Sequence, residues 1–180
     1  LPLRIVGVSP CFRREVGSHG QSDLGIWRVH QFTKIEQIIV ATPEQSWELQ
    51  EELLQNCIDL WDKLGMHYEV VNICTGDMGT VAARKYDLEA WIPGANQYKE
   101  IVSCSNCTDY QANRLQIRYG QPGHASQPIA HTLNSTAVAT SRALVAIMEQ
   151  NQLEDGRVRI PEVLRPYMNG QENLEPCTWG

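Results

Sequence analysis

Two runs of alternating residues at the start of the chain set the strongest constraint on its fold. Residues 3–14 and 26–40 are rich in Leu, Ile and Val at every second position. A period of two is the signature of a strand with one face turned inward. Between them lies VGSHGQSDLG, residues 16–25, with three glycines plus Ser, Asp and His. That composition predicts a loop. The pair is therefore a long antiparallel hairpin with a wide, polar tip. Strand alternation also sorts the charges. Arg13 and Glu15 fall on one side, as do Arg28, His30, Phe32, Lys34 and Glu36 on the return strand. A buried face does not tolerate so many charges unpaired. Two readings stand on pattern alone: a solvated face of mixed charge, or a face lining an anionic ligand. For the second, arginine offers two donors to a phosphate and keeps its charge. Phe32 offers a flat surface to a purine.

After the hairpin comes a helix over residues 43–64. Thr42 is its expected cap, Pro43 suits its first turn and Gly65 its end. Trp47, Leu54, Ile58, Trp61 and Leu64 share one side, while Glu44, Glu48, Glu51, Glu52, Asp59 and Asp62 mostly make a solvated face. Strand-like runs follow at 67–74, 86–92, 98–104, 114–119 and 129–134, then a second helix at 136–151; Gly156 and Pro161 punctuate the tail. Strands at hairpin spacing with few helices predict an α+β fold, a mostly antiparallel β-sheet flanked by helices. The 180 residues fit one domain. No run of about 18 uncharged apolar residues predicts a membrane span, and the first residues do not have the pattern of a signal peptide. The net charge of −6 gives no bulk sign of nucleic-acid binding. The six cysteines are expected to be reduced, as in an intracellular protein.

Two further groups carry chemistry. In YKEIVSCSNCTDYQANRLQIRYG, residues 98–120, Glu100 and Ser103 close an apolar strand. Carboxylate and hydroxyl oxygens suit a hard cation such as Mg²⁺; a carboxylate that merely caps the next turn is the plainer alternative. Cys104 and Cys107 form a C-x-x-C. With no second pair at finger spacing, zinc is not expected there. In HTLNSTAVATSRALVAIMEQNQ, Arg142 is the one charged residue from 131 through 148. A guanidinium there needs an anion or a route to water, so phosphate binding and snorkelling both remain open. Of the histidines His19, His30 and His131, none has metal spacing, and His30 is expected to pack or to support a neighbour.

These motifs carry a resemblance. FRREVGSHG followed by GIWRVHQFTKIEQ resembles motif 2 of class II aminoacyl-tRNA synthetases, with the F-R-x-E and R-V-H-Q-F-x-K-x-E of the seryl-tRNA synthetase family. SCSNCTDYQ is similar to the eukaryotic-type seryl enzymes, and the segment around Arg142 resembles motif 3. The resemblance covers nearly all of the chain and implies the C-terminal portion of the catalytic domain, residues 1–180. Motif 1 and the N-terminal tRNA-binding coiled-coil arm would then lie outside this sequence. It implies a cytoplasmic ligase, dimeric when full length, that activates L-serine with ATP and Mg²⁺. It would transfer serine to the acceptor end of tRNA(Ser), with tRNA(Sec) as a second acceptor, and the loop at 16–25 would approach the acceptor stem. By the same resemblance Arg13 holds the α-phosphate and the serine carboxylate region, Glu15 and the backbone at Val29 serve the adenine, and Phe32 stacks on it. Arg28 lies near the phosphates, and Arg142 binds the γ-phosphate. Glu100 and Ser103 hold Mg²⁺, Glu36 takes the serine ammonium, and Asn134 and Thr136 line the serine pocket. A ligase loading a carrier protein, or a non-catalytic relative acting as an interaction module, are the competing readings.

Overall fold

Hydrophobic alternation is realised as a six-stranded sheet. The computed structural model describes residues 1–15, 25–121, 123 and 127–177. In chain order the strands are β1 (Leu3–Phe12), β2 (Gln31–Ala41), β3 (Tyr68–Asn72), β4 (Arg84–Ile92), β5 (Gln97–Asn106) and β6 (His131–Ala139). They lie in the order β1-β2-β6-β5-β4-β3, with every neighbouring pair antiparallel. The helices are α1 (Ser46–Lys63), α2 (Tyr110–Leu115) and α3 (Thr140–Gln150). A small two-stranded sheet, β7 (Val158–Arg159) with β8 (Asn173–Leu174), closes the tail.

β1 and β2 form the expected hairpin, paired from Leu3↔Val40 to Phe12↔Gln31. Its tip at 16–24 lies outside the described residues. The return run is shorter than the alternation predicts: Gly25–Trp27 make a 3-10 turn, and β2 begins at Gln31. Residues of opposite parity go to opposite sides. Ile39, Ala41, Leu88, Ala90, Ile92, Val102, Cys104 and Leu133 join one buried cluster with Leu49, Leu53, Leu54, Cys57 and Trp61 of α1 and Ala143 and Ala146 of α3. The two helices thus cover one face of the sheet. The other carries the polar residues.

Three expectations need correction. Thr42 is not the cap of α1. Residues 42–45 form a turn closed by Gln45 N–H donating to Thr42 O at 3.2 Å, so Gln45 is the capping position and makes no side-chain cap bond. The run at 114–119 is not a strand. It holds the end of α2, a left-handed Gln116 (φ 55°) and a single bridge, Arg118↔Ile129. The second helix starts at Thr140 rather than 136, because 136–139 continue β6. Gly65 does end α1. At φ +69° its N–H donates to Asp62 O and Met66 N–H to Trp61 O, a closure that favours a residue without Cβ.

Trp61 is fully buried between α1 and the sheet. Trp61→Ala is expected to cost about 3–5 kcal/mol, lost transfer energy plus the cavity left behind. A urea titration checks this: the midpoint should fall with the slope unchanged.

Candidate active site

Strict alternation would put Glu100 and Ser103 on opposite faces, since they are three residues apart. The structure places them on the same one. Leu88 pairs with Val102 and Glu89 with Glu100, so Ile101 is an extra residue, a β-bulge, on β5. A second bulge lies on β6. Ile35 pairs with Val138 and Glu36 with Thr136, leaving Ala137 extra. Thr136 and Asn134 thereby share the polar face with Glu36. Beyond Cys104↔Ser135 the strands β5 and β6 separate after only three pairs. There Arg142, from the first turn of α3, donates from Nη1 to the Glu100 carbonyl at 2.7 Å and lies 3.4 Å from Glu100 Oε1.

One cleft is lined by Arg13, Glu15, Trp27, Arg28, Val29, Phe32, Lys34, Glu100, Thr136, Ala139, Ser141 and Arg142. It joins residues from the hairpin, β5, β6 and α3. Arg13 sits over the Phe32 ring at 5.5 Å. It continues the ladder past β1, donating its N–H to His30 O at 2.9 Å, while His30 Nδ1 donates to Arg13 O at 3.1 Å. His30 is thus a support for Arg13. Glu15 departs from the strand geometry expected of it. Its φ of 49° is left-handed, rare for a residue with a side chain and often found at functional sites. Its carboxylate accepts from Arg28 Nη1 at 3.0 Å. Trp27, which the sequence reading passed over, lies under two cations, Lys99 at 5.3 Å and Arg142 at 5.4 Å.

Glu36 lies beside this cleft. Its Oε2 accepts from Lys34 Nζ at 2.9 Å and from Thr136 Oγ1 at 3.2 Å. The sequence reading gave Lys34 no role. Ser103 and Asn134 line a second depression with Lys85, Ser105, Cys107 and Gln111. Apart from Glu36, the predicted residues thus fall into two depressions that share no lining residue, rather than a single pocket.

The cation expectation is tested by the donor set. Glu100 and Ser103 share a face with Asp87 and Glu89 of β4, which pair with Ser103 and Glu100 across the strands. Burial first, then the charge of Glu100, pushes the Asp87 carboxyl up; Lys85 and Ser103 oppose this. Burial, then Glu69, Asp87 and Glu100, raises Glu89. Among the described residues no group of three or more His, Cys, Asp or Glu could hold a metal by itself; Glu100 and Ser103 offer one carboxylate and one hydroxyl, hard donors of the kind Mg²⁺ takes alongside phosphate oxygens. The C-x-x-C sulfurs have separate partners. Cys104 Sγ donates to Gln50 O at 3.7 Å, while Cys107 Sγ accepts from Asn134 Nδ2 at 3.5 Å. Ser46 Oγ and His131 Nδ1 are 2.8 Å apart, a pair outside both depressions. His19 lies outside the described residues.

Residues 1–151 match the family model for the tRNA synthetase class II core domain (G, H, P, S and T). The chain is 64% identical over 176 residues to a serine–tRNA ligase of Methanocorpusculum labreanum, covering 97% of this chain and 41% of that one. An Archaeoglobus fulgidus serine–tRNA ligase is 59% identical over 174 residues, covering 96% and 38%. The fold superposes on the seryl-tRNA synthetase of Pyrococcus horikoshii complexed with ATP with a TM-score of 0.94, 54% identity and coverage of 99% of this chain and 40% of that one. For the cytoplasmic serine–tRNA ligase of Naegleria fowleri in complex with AMP the TM-score is 0.89, with 49% identity and coverage of 96% and 41%. The chain spans about two fifths of the length of these relatives.

Burial raises the thiol pKa of Cys57 and Cys107 and pushes Cys104 up to about 12. A raised pKa removes thiolate, the reactive form. At pH 8 a maleimide is expected to label Cys74 and Cys177, which are exposed, and to spare Cys57, Cys104 and Cys107 until denaturant is added. Peptide mapping by mass spectrometry checks this.

Proposed function

Because the chain belongs to the class II tRNA synthetase core-domain family, we propose that residues 1–180 are the C-terminal portion of the catalytic domain of a serine–tRNA ligase. Motif 1 and the tRNA-binding arm would belong to the rest of the enzyme. The whole enzyme would be a cytoplasmic homodimer that joins L-serine to tRNA(Ser). Among the described residues, no helix is long and apolar enough to cross a membrane.

The observation that carries this reading is the Glu36 carboxylate. It sits on the polar face, held by Thr136 and already paired with a primary ammonium, that of Lys34, at 2.9 Å. The serine ammonium is the same chemical group and would take this place. Asn134 and Thr136, on the same face, offer an amide and a hydroxyl to a small hydroxylated side chain. A site built to bond a hydroxyl rejects analogues lacking it. Arg13 stands beside the aromatic face of Phe32, where a purine and its α-phosphate can be held together. Glu15 and the Val29 backbone would bond the adenine edge, with Arg28 near the phosphates.

The reaction needs no protein nucleophile. The serine carboxylate attacks the α-phosphorus of ATP in line, and pyrophosphate leaves. The tRNA terminal hydroxyl then attacks the activated carbonyl and AMP leaves. The chain's work is positioning and charge stabilisation. Arg13 would hold the oxygens of the α-phosphate as charge shifts there. Arg142, fixed by the Glu100 carbonyl, would hold the terminal phosphate. Mg²⁺, held by Glu100 and Ser103, would offset phosphate charge when bound. The loop at 16–25 would meet the acceptor end.

Two variants of the full-length enzyme test the reading by serine-dependent ATP–pyrophosphate exchange. Arg13→Ala is expected to lower exchange by about a thousandfold or more, the scale of losing one preorganised charge at the reacting centre. Near-normal exchange would refute its role. Glu36→Gln is expected to raise the KM for serine about ten- to a hundredfold, as for a lost charge-assisted bond. The KM for ATP should move far less, and equal rises in both would remove Glu36 from the serine site.

A further inference from the structure

Asp87 is a charged group on the site face that the proposed reaction does not use. It lies on β4, 3% exposed, directly across from Ser103 on β5. Oδ2 is 3.1 Å from Lys85 Nζ. Oδ1 is buried and has no hydrogen-bond partner. A buried carboxylate oxygen without a donor is costly, and such groups call for an explanation. Its cross-strand neighbour can supply one. Ser103 stands directly opposite on β5, with a hydroxyl that can turn toward Oδ1.

A hydroxyl has one hydrogen to donate and two lone pairs to offer. A carboxylate takes only the hydrogen. A serine whose hydrogen is committed to Asp87 presents oxygen lone pairs alone to whatever stands in front of it. That is the orientation a hard cation requires of a hydroxyl ligand. We propose that Asp87 is a positioning residue that fixes the Ser103 hydroxyl as a pure acceptor for the divalent cation accompanying ATP, with Lys85 fixing Asp87 in turn. This rests on the reading of Glu100 and Ser103 as the cation-holding pair.

In Asp87→Asn the Lys85 ammonium keeps the amide oxygen. The amide N–H groups then face Ser103 and turn its hydroxyl the wrong way. The test uses the full-length enzyme, Mn²⁺ as probe and an α,β-nonhydrolysable ATP analogue. Mn²⁺ binding is read by electron paramagnetic resonance. Asp87→Asn should weaken Mn²⁺ about tenfold, the usual effect of losing a partner that orients a metal ligand. Analogue affinity without metal and the KM for serine should stay within about twofold, smaller than that orienting effect. Ser103→Ala should weaken Mn²⁺ at least as much, and the double variant should be no worse than Ser103→Ala, because the two act through one contact. If Asp87→Asn does not fold, Asp87→Glu keeps the charge for Lys85 but displaces the Ser103 contact, and should weaken Mn²⁺ likewise. Mn²⁺ binding weakened by Ser103→Ala but not by either Asp87 variant overturns the proposal alone, as does a parallel loss of metal, serine and metal-free nucleotide binding. Mn²⁺ binding untouched by Ser103→Ala overturns both the cation assignment and the proposal.

Discussion

The sheet has to be apolar on one face and charged on the other, and its two bulges let one sequence meet both demands. Side chains alternate strictly along a regular strand, so a single extra residue exchanges the faces of everything beyond it. On β5 the extra residue is Ile101, itself buried. It lets Val102 and Cys104 point into the core while Glu100 and Ser103 both reach the site. On β6 the extra Ala137 does the same for Asn134, Thr136 and Ala139 opposite Glu36 and Lys34. Without these irregularities either the core or the site would carry a misplaced residue. The early separation of β5 from β6 completes the arrangement. It lets Arg142, on a helix packed behind the sheet, reach Glu100.

In this structure the charges of the site satisfy one another. Lys34 pairs with Glu36, Arg28 with Glu15 and Arg142 with Glu100. All three pairs keep some contact with solvent, where an ion pair contributes no more than about 1 kcal/mol. Such pairs can be exchanged for a ligand at little cost. Each partner is then a charge of the kind the ligand would bring. Under the proposed function the ammonium of Lys34 would stand where the amino group of the amino acid binds, and the carboxylates beside Arg28 and Arg142 where phosphate binds. Asp87 differs because it is buried, and its pairing with Lys85 is not of this replaceable kind.

Much of this was legible in the sequence, and the rest for identifiable reasons was not. Period-two alternation marked β1 and the central strands, and the glycine at 65 marked the end of α1. Bulges leave no mark in a pattern of polar and apolar residues, so the shared face of Glu100 and Ser103 was not derivable from spacing. The segment at 136–139, Thr-Ala-Val-Ala, suits strand and helix alike, and it took the strand because its backbone pairs with β2. At 114–119 a short apolar rhythm gave way to a helix end closed by left-handed Gln116. Lys34 and Trp27 were in plain view, but their roles depend on which cation or ring lies across from them. Asp87 sits in an ordinary strand pattern, and only its register opposite Ser103 and its burial single it out.

The acidic balance of the chain is compatible with a site for polyanions once the charges are placed. The net charge is −6. Glu48, Glu51, Glu52, Asp59 and Asp62 all lie on α1, behind the sheet from the site. At physiological ionic strength charges are screened over about 8 Å, and a sheet with a helix packed on it is wider than that. The phosphates of a nucleotide would therefore meet the local field of Arg13, Arg28, Lys34 and Arg142, which line one cleft with Glu15 and Glu100 and would trade those carboxylates for phosphate. For a small ligand held inside a cleft, the sum over the surface is the wrong quantity. For a long polyanion such as tRNA it is the right one, and among the described residues the cations of this face stand beside carboxylates: Arg28 with Glu15, Lys34 with Glu36, Lys85 with Asp87 and Arg142 with Glu100. Under the proposed function, the affinity for tRNA would then come mainly from elsewhere in the enzyme, and this portion would meet the acceptor end.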